Sequence, residues 1–385
     1  MTGTTSVTLR EVRGKRDLSN FIKVAEEVYR GDPAWVPPLR LERKLHFSSK
    51  HNPYFRHARM KAWVAYRDGV PVGRITAQVD ELDRRLHGAD RGHFGFLEAQ
   101  NDPDVFAALF AEAEAWLKSQ GVGHVLGPFN FSINQECGLL VEGFHRPPVF
   151  MMPHGKPYYP HRLAELGYGK AKDLLAFWIE KGFPWPRTAQ EIVKRYSRRI
   201  TTRTLDAGRV EEELELLRDI FNDAWSENWG FVPFTQAEFM EMGKSLRLLV
   251  DDEFVQVAEV EGEPAAFIVL LPNLNEAIRD LGGRLLPFGW AKVLARWKGS
   301  RIRTGRIVLM GVRKAYQNSL MAAALALSVI DRVHAPGLAR GYEAAELSWV
   351  LEDNTRLLKI LDSVGAQPYK RYRIFEKRLE DSREG

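Results

Sequence analysis

Apolar residues recur at helical spacing between Leu18 and Tyr29, where Phe21, Ile22, Ala25 and Val28 share one stripe. This spacing predicts an amphipathic helix following an extended Ser6–Val12. Strand-like runs come next at Ala62–Tyr66 and Pro71–Val79, and the Asp-Gly pair in the intervening Arg67-Asp68-Gly69-Val70 favours a tight hairpin. A third strand, His93–Ala99, leads into a helix over Asp104–Lys118 that Gly121 closes. An apolar strand His124–Phe129, a Pro- and Gly-rich stretch to about Pro157, a helix Tyr159–Leu166 and a strand Leu174–Glu180 complete the first half.

The second half repeats that order. A strand Ile200–Leu205 precedes helices Val210–Trp225 and Gln236–Leu248, and strands Phe254–Val260 and Ala265–Leu271 flank the turn Glu261-Gly262-Glu263-Pro264. A basic helix is predicted over Leu285–Lys298. Strand Arg306–Val312, helix Leu320–Val333, strand Ala344–Leu351, helix Asn354–Ser363 and strand Tyr372–Arg378 end the chain. Two copies of one mixed α/β plan, joined near Gly182–Thr188, give domains at 1–185 and 186–385, the second carrying a basic amphipathic insert at 281–306.

A length of 385 residues suits two or three domains of roughly 150 residues each. With 45% hydrophobic and 27% charged residues, the composition is that of an ordinary globular protein. The net charge of +5 is unevenly placed: Leu281–Arg306 holds seven basic residues and no acidic one, so the rest of the chain is slightly acidic. A single cysteine, Cys137, excludes an internal disulfide and a cysteine-built zinc site and fits a reducing cytosol. Met1–Arg10 lacks the apolar stretch of a secretory signal, and no window is long and apolar enough for a spanning helix.

In the second half, strand Ile307–Val312 passes through the loop Arg313–Ser319 into a helix, followed by strand Ala344–Leu351, an Asn (Asn354) opening the next helix and Gly365 before the last strand. This order resembles the acyl-CoA-binding core of the GCN5-related N-acetyltransferase (GNAT) superfamily. The resemblance implies that the backbone of Met310, Gly311 and Val312 meets the thioester and pantetheine arm. It implies that Gln317, Asn318 and Ser319, at the start of a helix whose free N–H groups favour anions, hold the coenzyme A pyrophosphate, with Asn354 nearby. Two departures stand out: the loop Gln317-Asn318-Ser319-Leu320-Met321-Ala322 lacks the family's internal glycines, and Leu361 replaces the tyrosine that protonates the departing thiolate.

The first half carries Gly127-Pro128-Phe129-Asn130-Phe131-Ser132, Glu136, Gly138-Leu139-Leu140, Gly143-Phe144, Pro147-Pro148, Met151-Met152 and Tyr158-Tyr159. These motifs resemble a bacterial family of tandem acetyltransferase-like halves that includes the bacterial ceramide synthases, and the resemblance spans about Val7–Leu379. It implies two tandem GNAT-like domains and transfer of a long-chain acyl group from acyl-CoA, or an acyl-carrier protein, to the amine of a long-chain sphingoid base. Transfer to a small soluble amine or peptide, or acyl-CoA and lipid binding without turnover, stays open at this stage.

Amide formation from a thioester needs an amine freed of its proton and donors for the developing oxyanion. Glu346 and Ser348, two apart on one strand, share a face, which makes Glu346 a candidate base and otherwise a surface carboxylate at a sheet end. Glu136, among Ile133, Cys137, Gly138 and Leu139, is costly to bury unless paired or raised in pKa; it is a second candidate base or an acceptor for loop N–H groups. Asn130, Ser132, His154, Tyr158 and Tyr159 are candidate substrate contacts, Asn130 and Ser132 being equally suited to forming the turn and His154 to carrying a proton or standing solvated.

On the basic helix, Trp290, Val293, Leu294 and Trp297 fall on one face and Lys292 and Arg296 on the other. Such a helix suits the headgroup region of an anionic membrane, or packs its tryptophans on the core. No nucleic-acid motif accompanies the basic segment, and no helix carries the clustered glutamates that hold magnesium in nucleotide hydrolases. The expectation is a cytosolic enzyme, peripheral to the inner membrane, with acyl-CoA as co-substrate and no metal.

Overall fold

The computed structural model describes residues 6–183, 185–247, 249–299 and 301–380. Pro184, Leu248 and Ser300, which fall in the joining segment, at the end of a predicted helix and in the basic segment, lie outside them. By packing, the chain forms two units: one runs up to Leu174 and adds Leu281–Leu285 and the chain from Lys370 onward; the other holds Leu175–Asp280 and Leu286–Tyr369.

In the first unit, strands Thr8–Glu11, Ala58–Arg67, Val70–Asp80 and Arg91–Ala99 pair antiparallel in sequence order. Asp68 and Gly69 sit at φ 51° and 78°, the paired left-handed conformation that a two-residue hairpin turn requires. Strand His124–Gly127 then runs parallel to Arg91–Ala99, and the C-terminal strand pairs with its other side. Gly73 faces Val105 and Leu109 of helix Pro103–Ser119, while its neighbour Arg74 reaches Phe21 of helix Lys15–Val28. Successive residues of a strand point to opposite faces, so these helices cover both sides of the sheet.

The parallel pair stays together for Arg91–His93 against His124–Leu126 and then parts. Into this fork comes Phe129–Asn130, whose approach depends on Gly95: a Cβ there would lie 1.9 Å from the Phe129 carbonyl oxygen. The polar end of the fork is thus set by backbone-to-backbone contact.

The second unit follows the same plan. Strands Ile200–Thr204, Val255–Val260, Glu263–Pro272 and Thr304–Val312 are antiparallel, and Ala344–Leu351 joins Thr304–Val312 in parallel. Helix Leu320–Ala339 covers one face through Met321, Ala324, Leu325 and Val329 against Ala258, Ala266 and Ile268. Helices Val210–Trp225 and Gln236–Arg247 cover the other, toward Val255, Val269 and Leu309. Thr304–Ile307 pairs with Ala344–Leu347 before these strands also part. A bulge at Val308, opposite Val269/Leu270, puts Arg306 on the same face as Leu309 and Gly311.

The helix predicted from Leu285 starts only at Gly289, because Leu286 precedes Pro287, whose ring disfavours helical geometry in the residue before it. Short polar helices at Arg40–His46, Glu81–His87 and Lys314–Gln317 carry no sustained apolar stripe, whereas the helix Arg187–Tyr196, which sequence reasoning did not foresee, has one in Ala189, Ile192, Val193 and Tyr196 and packs it on the core. Among the described residues no helix is long and apolar enough to cross a membrane.

Candidate active site

In the second unit the fork carries a buried polar cluster. Glu346 is fully buried, not a surface carboxylate at a sheet end. The Ser348 hydroxyl donates to its Oε1 and the Tyr369 phenol to its Oε2. Behind Ser348 stands Arg306, the cross-strand partner of Glu346, with Nε donating to Ser348 Oγ at 2.9 Å and Nη2 to the Ser348 carbonyl at 3.2 Å. Arg306 is therefore an interior cation and not part of the basic surface to which its sequence position assigned it. Both carboxylate oxygens accept hydrogen bonds, as burial of a polar group requires.

The fork edge lies next along this line. The Trp225 indole donates to the Met310 carbonyl at 2.9 Å, and its ring meets Trp349 edge-on at 5.4 Å between centroids. Trp349 follows Ser348 directly in the chain. Gly311 packs close beneath Ala224 of the same helix: a Cβ on Gly311 would lie 3.2 Å from the Ala224 Cβ.

The residues that the resemblance assigned to coenzyme A are mostly occupied in holding the loop. Gln317 Nε2 donates to the carbonyls of Ala224 and Val312, both at 2.8 Å, and the Ser319 hydroxyl donates to the Tyr316 carbonyl at 2.6 Å. Asn318 ends the short helix Lys314–Gln317, and Asn354 caps the helix Thr355–Ser363 by accepting from Leu357 N–H at 3.2 Å. Ser319 thus leaves the first N–H groups of helix Leu320–Ala339 without a side-chain cap, and no acid lies in that first turn. Lys314, paired with the exposed Glu227 at 2.9 Å, and Arg356, bonded to the Gln317 carbonyl, stand at this loop. Uncapped amides beside cations fit a phosphate-bearing ligand despite the missing loop glycines. Leu361, in the position of the family tyrosine, is packed in the core with Leu347, Val350 and Val364.

The first unit holds a second polar cluster at its own fork. Glu136 pairs with Arg43 and accepts from Asn130 Nδ2 at 2.9 Å, while Asn130 Oδ1 accepts from Phe96 N–H at 2.7 Å. Of the two ways to bury this carboxylate, the protein uses pairing: burial raises its pKa, but the Arg43 guanidinium and Asn130 outweigh that and hold it at about 2. Its partners are side chains instead of the loop N–H groups foreseen. Ser132 forms a turn, its Oγ accepting from Asn134 N–H at 3.2 Å.

Glu98 behaves oppositely. Burial pushes its carboxyl above the usual range although Arg74, Tyr29 and Tyr159 favour its charged form. Tyr159 donates to Glu98 Oε2 at 2.8 Å and Tyr158 to the Ala99 carbonyl at 2.7 Å, so both tyrosines brace the strand carrying Glu98. His154 is buried, not solvated; Asp32 lies 3.6 Å from its Nε2, and burial pulls its pKa down to about 4.

The basic helix divides its residues. Trp290 projects outward, 54% exposed, beside Leu286 at 77% and Phe288 at 73%, whereas Trp297 lines a hollow with Phe254, Ile302 and Tyr342. Arg296 is bound by Asp280, whose Oδ2 also lies 3.8 Å from Lys292 Nζ. An acid just outside the basic segment therefore neutralises part of it.

Sequence reasoning missed Arg43, Arg74, Glu98, Arg306, Tyr369, Trp225 and Trp349. For Glu98 a signal existed: it is the one carboxylate in the apolar strand run His93–Ala99. The others have partners too distant in sequence for any local pattern.

Two units, each an antiparallel meander ending in a parallel pair that forks, define the class of tandem GNAT-fold acyltransferases. The same fold occurs in a tandem GNAT protein from the clavulanic acid biosynthesis pathway, at a TM-score of 0.58 and 12% identity over 98% of this chain and 100% of that one. Two relatives are far closer in sequence. Protein YghO of Escherichia coli (strain K12) is 49% identical over 96% of this chain and 95% of its own. The bacterial ceramide synthase of Caulobacter vibrioides (strain NA1000 / CB15N) is 43% identical over 96% of both. No family model matches the chain. The chain belongs to the bacterial tandem-GNAT family that contains this ceramide synthase, and it is an N-acyltransferase.

Proposed function

We propose that this N-acyltransferase moves a long-chain fatty acyl group from acyl-CoA to the amine of a long-chain sphingoid base. Kinship with a protein named bacterial ceramide synthase, over nearly the whole chain, carries the reading. In this scheme the thioester lies along the Met310–Val312 edge with the coenzyme phosphates at the start of helix Leu320–Ala339. The amine attacks the thioester carbon, the C–N bond forms as the C–S bond breaks, and Glu346 takes the amine proton. Tyr369, hydrogen-bonded to Glu346, gives its phenolic proton to the thiolate and regains one from the carboxyl, so it supplies the acid that Leu361 cannot. Arg306 and Ser348 hold the carboxylate in place. Incubation with a long-chain base and a series of acyl-CoA thioesters tests this: a ceramide-type amide is expected. Product only from acetyl-CoA and soluble amines would replace the reading with its runner-up.

The amide product and the hydrocarbon chains of both substrates of such a reaction favour a membrane surface. Leu286, Phe288, Trp290 and Leu294 form an exposed apolar patch flanked by Lys292 and Lys298, and this patch is the part of the basic insert we assign to the headgroup region. Partitioning onto anionic liposomes is expected to fall at least about 100-fold in a Phe288→Ala/Trp290→Ala double variant, since each buried aromatic contributes about 1.5–3 kcal/mol and every 1.4 kcal/mol is tenfold. A Trp297→Ala variant, altering an inward-facing ring, serves as comparison. Equal sedimentation of wild type and double variant would dismiss the patch.

A further inference from the structure

The second unit contains two large apolar cavities on opposite faces of its sheet. One, of about 680 Å³ including space open to solvent, lies under helix Leu320–Ala339 and is lined by Ile330, Val333, Leu338 and Leu347 among others. The other, about 560 Å³ on the same basis, lies between helices Val210–Trp225 and Gln236–Arg247 and the sheet. Val210, Leu214, Leu217, Met242, Leu246 and Leu309 line it, and its polar members are Arg247 and Asp252.

Only the second cavity shares a face with the Glu346 cluster. Leu309 lines it, and the bulge at Val308 brings Arg306 to that same side of the strand, with Glu346 as its cross-strand partner. Leu309 is also the residue before Met310, whose carbonyl Trp225 holds. Along helix Val210–Trp225 the residues Leu214, Leu217, Phe221 and Trp225 recur at spacings of three and four and form one stripe. From Val210 to Trp225 that stripe spans about 22 Å at the helical rise. Phe221 stacks on Trp225 at 5.2 Å between centroids and lies on this stripe between Leu217, which lines the cavity, and Trp225 at the fork.

The ends of the cavity are ordered by the helix pair. Helix Gln236–Arg247 returns beside Val210–Trp225, as the Lys244–Glu211 ion pair at 2.6 Å shows, so Arg247 and Val210 stand at the end far from Trp225. Met242 lies nearer the fork than Leu246. Close contact of the two helices at Gly243, where a Cβ would come within 2.4 Å of Leu214 Cδ2, fixes the width midway.

We infer that this cavity houses the hydrocarbon chain of the acyl thioester, with the carbonyl at Met310–Gly311, the chain passing Phe221, and the methyl end toward Leu246 and Arg247. The inference rests on the long-chain acyltransferase reading above and adds where the chain lies and which residues measure its length. The cavity under helix Leu320–Ala339 is lined by Ile307 and Leu347 and lies on the sheet face opposite Arg306 and Leu309.

Full-length protein carrying Leu246→Trp or Met242→Trp, each partly exposed in the wild type, is assayed with octanoyl-, lauroyl- and palmitoyl-CoA and one sphingoid base. The ratio of kcat/KM for palmitoyl- over octanoyl-CoA is expected to fall roughly tenfold in Leu246→Trp. In Met242→Trp the cut-off moves to shorter chains, so that lauroyl-CoA is disfavoured as well. This graded order is one that general loss of folding does not produce. Leu338→Trp, in the opposite cavity, is expected to keep the wild-type ratio. Unchanged ratios in Leu246→Trp and Met242→Trp, with amide still formed, overturn the inference alone, as does a shift confined to Leu338→Trp. Wild-type protein that acylates no long-chain base overturns the underlying reading and the inference together.

Discussion

Replacing Glu346 with Gln is expected to slow amide formation by roughly 10²–10⁴-fold, the usual effect of removing a general base. The substitution keeps shape and an acceptor oxygen but removes the carboxylate to which Ser348 and Tyr369 both donate. It also removes the carboxylate that Arg306 reaches through Ser348, so a loss of stability accompanies the loss of activity. Activity and folding therefore need separate readouts: single-turnover rates for the first and urea unfolding for the second. Tyr369→Phe divides the two effects, because it leaves Glu346, Ser348 and Arg306 in place and deletes only the phenolic proton. Its expected signature is slowed turnover that recovers when the leaving thiolate is made less basic. Folded Glu346→Gln protein working within about twofold of wild type would remove Glu346 from the chemistry.

Much of this arrangement is legible in the sequence where local pattern controls it. Helix Val210–Trp225 and strand Ala344–Leu351 are read to both ends because their apolar period is sustained, and the Asp68-Gly69 hairpin is read from its turn chemistry alone. What escapes is decided at long range. Arg43 sits on the polar helix Arg40–His46, which has no apolar stripe, and its partner Glu136 is 93 residues away. Arg306 counts as one more surface cation until the bulge at Val308 fixes the face it occupies. The charge pattern of the basic insert likewise changes meaning once Asp280 is seen to bind Arg296. Chemistry-bearing residue types were visible at Glu346 and Glu136, and so were their near neighbours Ser348 and Asn130; Tyr369, Arg306 and Arg43 were not, because those come from other strands and helices.

Glu136→Gln is expected to destabilise the first unit by about 3 kcal/mol at neutral pH, because Arg43 then keeps only the more exposed Glu42, 3.5 Å away, as counter-ion. The pH dependence carries the same information. The folded protein holds Glu136 at about 2, below the ordinary value of 4.5, so its ionised form stabilises the fold above pH 4.5, and that contribution is lost as pH falls from about 4.5 to about 2. At 1.36 kcal/mol per unit the amount is about 3 kcal/mol. Glu98, raised by burial, has the reverse slope: its folded state binds a proton that the unfolded chain has lost, so stability from this group falls as pH rises from the ordinary carboxylate range through its folded value. Urea unfolding followed from pH 7 down to about pH 2.5 separates them, since Glu136→Gln flattens the acid limb and Glu98→Gln flattens the opposing one. Replacing both members of the pair, Arg43→Met with Glu136→Met, is expected to restore most of the lost stability, because an apolar pair leaves no buried charge behind. If Glu136→Gln unfolds at the wild-type urea concentration, the Arg43–Glu136 pair does not hold this fork, and Asn130 with the Phe96 backbone must hold it alone.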